Sequence, residues 1–166
     1  MHSVLRDLEE DHIRSVCFSR GGSRLATGSG VELSSLTKHC LCLSTFLQIW
    51  KINTRYVQNA FKGHILQVMS LDFSPGDHRL VSASDDNTVR LWNIRYGAVA
   101  FLTEDNPTYL DYRCYSSALF SLDGNYVVAP NHDGMVRAWA VRTGLLMRRV
   151  QAHVEWVYGY CLYAGW

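Results

Sequence analysis

Three side chains in one stretch of this chain have the chemistry of a hydrolase. His64 could act as base, Ser82 as hydroxyl nucleophile and Asp86 as the carboxylate that orients the base, with Trp92 close behind. Such a triad works only when the serine sits on an exposed, strained turn with oxyanion donors beside it, as in a G-x-S-x-G elbow. The chain has no such elbow, and Ser82 falls inside an apolar, strand-like run, RLVSAS. Other chemistries are weaker. RGGSRLATGSG at 20–30 is rich in glycine, yet neither G-x-G-x-x-G nor G-x-x-x-x-G-K-[ST] occurs. Gly21-Gly22 reads as a hairpin turn, and Gly28 and Gly30 fall near a strand end. No His-Glu-x-x-His is present, and His39, His78 and His132 read as turn or loop residues. Cys40-x-Cys42 lacks a second ligand pair at zinc spacing. The five cysteines are odd in number and irregular in spacing, which argues against a secreted disulfide framework. Cys17, in a strand-like run, reads as a small buried hydrophobe. No catalytic, cofactor-binding or metal-binding residue is assigned.

The elements that must position these residues repeat. IRSVCFSRGGSRLATGS (13–29), VMSLDFSPGDHRLVSAS (68–84) and YSSALFSLDGNYVVAPN (115–131) each join a run ending in Phe-Ser to a second apolar run through a Gly-containing turn. Each is followed by a strand bearing Trp: LQIWKI (47–52), TVRLWNI (88–94) and MVRAWAV (135–141). A further copy opens at VEWVYGYCLYAGW (154–166). β-branched and aromatic residues fill the runs and turn formers separate them, which predicts short antiparallel strands. Trp50, Trp92 and Trp139 recur at separations of 42 and 47 in the numbering, inside the range of a repeat architecture. Helical periodicity is absent at useful length; SVLRDLEE could form a turn or two of helix or an outer strand.

With Gly63-His64, Phe73-Ser74-Pro75, Ser82, Asp86 and Trp92-Asn93 in the middle unit, the chain resembles the WD40-repeat β-propeller proteins. That resemblance implies an all-β fold, a partial, open propeller of about three four-stranded antiparallel blades. Blade 1 would span about 11–62, blade 2 about 63–105 and blade 3 about 106–152, with the start of a fourth at 153–166. It also implies a structural use for the quartet. The turn Asp86 accepts a hydrogen bond from His64, His64 binds the Ser82 hydroxyl, and that hydroxyl meets the Trp92 indole N–H. Blade 3 keeps Asp133 and Trp139 at the same separation but has Glu104-Asp105 where Gly-His is expected, and Pro130 in its second strand removes a ladder donor. Blade 1 has Asp11-His12, Thr27 and Trp50, yet Ser44 stands at the sixth position before the Trp. The family's partner-contact positions fall on His12 and Arg14 in blade 1, Gln67, Met69 and Asp85 in blade 2, Cys114, Ser116 and His132 in blade 3, and Trp156 and Tyr158 beyond it.

Composition narrows the partners. Hydrophobic residues make up 48% of the 166 and charged residues 19%, enough apolar surface for a core. The net charge of +1 gives no basic excess for nucleic acid or an anionic membrane. MHSVLRDLEED is too charged for a signal peptide, and the most apolar run, CLCLSTFLQIW, is far shorter than the ~20 residues of a membrane span. No Asn-x-Ser/Thr acceptor occurs. The expected setting is intracellular, nuclear or cytoplasmic, with proteins as partners and no cofactor. DHIRSVCFSRGGSRLATGS is similar to the Tup/Groucho-type transcriptional corepressors, which would make the partner a DNA-bound repressor or a histone tail, with DNA contact indirect. An adaptor in ubiquitin ligation or signalling, or an inert truncated product, are the alternatives.

The serine of Phe-Ser and the Trp stand at 74 and 92 in blade 2 and at 121 and 139 in blade 3, a separation of 18 in both. In blade 1 they stand at 19 and 50, a separation of 31. The excess, 31 − 18 = 13, falls within GVELSSLTKHCLCLSTF, at about 31–43, and displaces the turn Asp. Its Leu and Cys content suits a retained intron or gene-model error; an adapted binding loop is the rival. Three blades and a fragment also leave sheet faces and edges uncovered, so the chain is expected to be part of a larger propeller, to self-associate through those edges, or to be poorly stable.

Overall fold

The computed structural model describes residues 12–30, 45–97, 99–102 and 114–152. They form three separate four-stranded antiparallel sheets, each a simple meander, and no helix occurs among them. The first holds β1 (His12–Phe18), β2 (Arg24–Gly30), β3 (Phe46–Lys51) and β4 (Tyr56–Lys62). β5 (Val68–Phe73), β6 (Arg79–Ser84), β7 (Val89–Asn93) and β8 (Val99–Phe101) make the second. The third contains β9 (Leu119–Phe120), β10 (Tyr126–Pro130), β11 (Met135–Ala140) and β12 (Leu146–Gln151). This is the open, partial propeller that the repeat pattern implies. The insertion at 31–43, the N-terminal segment, Glu104-Asp105, Cys40, Cys42 and the fourth repeat with Trp156 and Tyr158 lie outside the described residues.

The middle sheet is buried on both faces, and the two-residue period of its strands sorts its side chains between two cores. Leu71, Phe73, Leu80 and Trp92 pack with Ala26, Leu47, Ile49 and Phe61 of the first sheet. Val81, Ala83, Val89 and Leu91 pack with Phe120, Val127, Ala129 and Trp139 of the third. Double burial shows in β6, which is buried without a break from Leu80 to Ser84 rather than on alternate residues. Cys17 is half-buried against the first of these cores, and burial pushes its thiol up to about 12, with the Asp72 charge adding to the effect. In the first sheet Val16 and Phe18 of β1 are 58% and 65% exposed, an uncovered apolar face.

Polar contacts tie the sheets at the end carrying the β1–β2 and β5–β6 turns. Asp72 accepts from Arg20 Nη2 of the first sheet at 3.3 Å and from the Phe120 N–H of the third at 2.9 Å. Asp77 accepts the Arg20 and Gly21 N–H groups at 2.7 and 3.0 Å. At Gly28 the first two sheets approach so closely that a Cβ would stand 2.8 Å from Val68 Cγ1.

β9 is reduced to two residues, and its ladder with β10 covers only Val127↔Phe120 and Val128↔Leu119 before an isolated bridge, Tyr115↔Asn131. The gap opens at Pro130, the last residue of β10, which has no N–H to give. In the other two sheets the corresponding strand is longer but carries a bulge, between Ile13 and Ser15 and between Val68 and Ser70.

Candidate functional site

Ser82 sits mid-strand on β6, opposite Arg90, and the tight β6–β7 turn brings Asp86 and Thr88 back over it. His64 enters from the connection after β4 and lies between them. Its Nδ1 is 2.8 Å from Asp86 Oδ2 and its Nε2 is 2.6 Å from Ser82 Oγ, while Trp92 Nε1 donates to the same Oγ at 2.8 Å. Asp86 also accepts from the Thr88 N–H and hydroxyl, at 3.0 and 2.5 Å, and from the Ile65 N–H at 3.2 Å. A Cβ at Gly63 would stand 2.2 Å from Arg90 Nη1 and 3.1 Å from Trp92 Cη2, so a side chain there would have to push the Arg90 guanidinium aside.

Electrostatics fixes the protonation. Burial lowers the His64 pKa by more than the hydrogen bond and charge of Asp86 raise it, so the ring is neutral at pH 7. Burial alone would raise the Asp86 carboxyl. The hydrogen bonds that it accepts from the His64 ring, Thr88 and the Ile65 N–H outweigh it and hold the group below the usual carboxylate range. Nδ1–H therefore donates to Asp86, the Ser82 hydroxyl donates to Nε2, and Oγ accepts from Trp92. Ser82 is 0% exposed, its proton and an acceptor site both in use, with no route for a substrate. The quartet braces a sheet.

The neighbouring sheets solve the same problem differently. In the first, Thr27 occupies the place of Ser82, opposite Gln48, and its Oγ1 accepts from Trp50 Nε1 at 3.1 Å. In the third, Ala129 stands there opposite Arg137, so no hydroxyl joins Asp133 to Trp139. Those two residues are not linked as Asp86 and Trp92 are, in keeping with the incomplete set of blade 3. Arg137, four positions after Asp133, instead donates to both its oxygens, at 3.1 and 2.6 Å. Trp139 packs edge-on against Tyr115.

The residues expected to meet a partner fall at the end of the sheets that carries the Asp86 turn. Arg14 and Met69 are the extra residues of the two bulges, which turn both side chains out of the ladder; Arg14 is exposed and Met69 is 39% exposed. His12, opposite Gly30, is exposed beside Arg14. A chain of backbone contacts then crosses the sheets. The Asp85 N–H donates to Gln67 C=O at 3.0 Å, the Cys114 thiol to Asp85 C=O at 3.6 Å, and the His132 N–H to Cys114 C=O at 3.1 Å. Burial raises the Asp85 carboxyl, and the Cys114 hydrogen bond and the charges of His132 and Arg14 pull it back in part. Burial likewise raises the Cys114 thiol to about 11, so it is no thiolate. Gln67, Asp85, Cys114, Ser116 and His132 are half-buried. Sequence reasoning missed the bulges, Thr88 and Arg137. Of these, only an Arg four positions after each turn Asp was visible in the chain.

Three meanders of one design, with indoles anchored to strand hydroxyls in the first two, define a repeat propeller. Residues 3–35 and 55–93 match the family described as WD domain, G-beta repeat, so the chain carries WD40 repeats in a propeller-like fold. It is similar to autophagy-related protein 16 of Arabidopsis thaliana, 31% identical over 111 residues, 66% of this chain and 21% of that protein. Nuclear distribution protein PAC1 of Gibberella zeae is 28% identical over 128 residues, 67% and 25% of the two chains. Human apoptotic protease-activating factor 1 is 27% identical over 150 residues, 82% and 11%. The chain thus spans a quarter or less of these relatives. A chain in the crystal structure of the mitotic checkpoint complex superposes with a TM-score of 0.74 at 19% identity, over 94% of this chain and 42% of that one, a likeness of fold. The relatives give no support to a Tup/Groucho-type specificity.

Proposed function

We propose that the chain is a non-catalytic scaffold that binds other proteins through the end of the propeller carrying Arg14, Met69, Asp85 and His132. The observation that carries this reading is the pair of bulges. Two successive blades give up a ladder register to aim Arg14 and Met69 outward at the same end, and Arg and Met are residue types favoured in protein interfaces. The bound quartet supports a structural rather than catalytic use of His64, Ser82 and Asp86. A corepressor role, with a DNA-bound repressor or histone tail as partner and nuclear residence, has only the short stretch at 11–29 in its favour.

The test is affinity purification of the wild type beside a variant with Arg14→Ala, Met69→Ala and His132→Ala, followed by mass spectrometry. Proteins captured by the wild type and lost from the variant, with the near-UV circular dichroism of the two unchanged, support the reading. Capture of the same set by both overturns it. The exposed Val16 and Phe18 support self-association of this chain as a second reading; Phe18→Glu should then shift its sedimentation toward the monomer.

A further inference from the structure

The opposite end of the sheets holds a groove between blades 1 and 2. Arg24, Asn59, Asp77, His78, Arg95 and Tyr96 line a volume of about 520 Å³. The groove continues along β4 past Phe61 and Lys62 to Gly97, where a further cavity encloses about 360 Å³.

Its chemistry restricts the occupant. Arg24, Lys62 and Arg95 supply positive charge. Asp77, the carboxylate in the wall, already accepts two N–H groups of the β1–β2 turn, and the Asp77 carbonyl takes Arg24 Nη2 at 2.9 Å. The Lys62 ammonium lies over the Phe46 ring at 4.5 Å, and the Arg95 guanidinium over the Tyr96 ring at 5.4 Å. Rings hold and partly desolvate these two cations without neutralising them. In the same wall, Asn59 Oδ1 is buried with no hydrogen-bond partner, an acceptor waiting for an N–H. Tyr96, 73% exposed at the rim, offers a flat apolar anchor of the kind interfaces favour. A simple anion brings charge but no N–H, and a neutral peptide brings N–H but no charge.

We propose that this groove binds an extended acidic segment of a partner protein, with carboxylates on Arg95, Lys62 and Arg24 and a backbone N–H on Asn59. It shares no residue with the bulge end, so each surface can fail without the other.

The probe is a fluorescein-labelled peptide of ten glutamates, followed by fluorescence anisotropy at low salt, where charge-driven contacts are strongest. Arg95→Glu should weaken binding about tenfold, and Arg148→Glu, an equal charge change on β12 of blade 3, should leave it unchanged. Asn59→Leu should weaken binding about fivefold while raising the urea midpoint, because it removes an orphaned acceptor. A purely structural Asn59 would not move affinity and stability in opposite directions. Equal losses with Arg95→Glu and Arg148→Glu would overturn the proposal, as would displacement of the peptide by equimolar inorganic phosphate. So would affinity for a ten-residue oligothymidylate matching that for the peptide, which would make the ligand a nucleic acid.

Discussion

Arg137 holds Asp133 at 2.6 Å where Arg90, at the same place in the preceding blade, stands 3.7 Å from Asp86. The difference is the histidine. In blade 2, His64 takes the turn carboxylate from above and Arg90 is left to bond Thr88 Oγ1 at 3.2 Å and to lie over Phe101. In blade 3, with Ala129 in place of the strand hydroxyl, the arginine reaches the carboxylate directly. Removing one partner of a buried pair strands the other, at a cost of about 3–5 kcal/mol when burial is complete. Arg137→Met leaves Asp133 its hydrogen bond from the Met135 N–H at 2.9 Å but takes away the guanidinium that balances its charge, and is expected to cost about 3 kcal/mol in urea denaturation. Arg90→Met should cost about 1–2 kcal/mol, because Asp86 keeps His64, Thr88 and Ile65. Adding Asp133→Asn should recover part of the first loss and confirm that an unbalanced charge caused it.

Ser82→Ala discriminates bracing from catalysis. It leaves the Trp92 N–H and the His64 Nε2 acceptor without partners in a fully buried site, and each such group costs about 1–3 kcal/mol. Two stranded groups set the expected loss at about 2 kcal/mol or more, read by denaturant titration. A nucleophile kept for chemistry would sit under strain, and its removal would leave stability unchanged or raise it.

What can be read from the chain follows from range. The three sheets are legible because each strand signal is local, a run of β-branched and aromatic residues closed by a turn, and because the pattern recurs. The quartet is legible through the family resemblance, which implies how these four residue types satisfy one another; on residue type alone they could equally imitate a hydrolase triad. Thr27 can be matched to Trp50 for the same reason, although the two are well separated in the chain. The ties between sheets have no such signature. Asp72 meets Arg20 and Phe120 across long stretches of sequence, and nothing in the composition around any of the three marks the meeting. A bulge is equally silent, since Arg14 and Met69 fit an ordinary strand pattern. The groove at Asn59 needs two blades to exist at all. The corepressor likeness rests on a stretch dominated by strand and turn signals, which serve any propeller blade.

Gly28→Ala tests how tightly blades 1 and 2 are apposed. The added methyl would lie 2.6 Å from Ser15 Oγ and within 2.9 Å of two carbons of Val68, and Ser15 Oγ already donates to the Val68 carbonyl at 3.0 Å. Neither neighbour can withdraw without opening the seam, so the expected cost is about 1–3 kcal/mol, in the range of overpacked cores. Hydrogen exchange should quicken at β1 and β5 before it quickens in blade 3.

The neutral ring of His64 sets how stability depends on pH. In the unfolded chain this histidine titrates near its ordinary 6.5; in the fold burial lowers it. Above 6.5 neither state holds the proton and stability is full. As pH falls below 6.5 the unfolded chain gains a proton that the native state refuses, so stability declines, by about 1.4 kcal/mol for each pH unit well below that value until the native ring takes the proton too. Asp86, also lowered in the fold, adds its own loss only below 3.8, the ordinary carboxylate value. Asp72 and Asp85 act in the opposite sense. Burial raises them, so their cost to the fold is relieved as pH falls through their native values toward 3.8. Gln at position 64 can keep an N–H donor for Asp86 while removing the titrating ring, so comparing the wild type with His64→Gln reads the histidine. The variant should be less stable at pH 7.5 and lose less between pH 7.5 and 5.5 than the wild type, read from urea midpoints at each pH. Equal slopes for the two proteins would mean that His64 titrates alike in the folded and unfolded chains. A wild type that loses less than the variant would mean a charged ring in the fold, and the bond between Nε2 and Ser82 Oγ would then run from ring to hydroxyl.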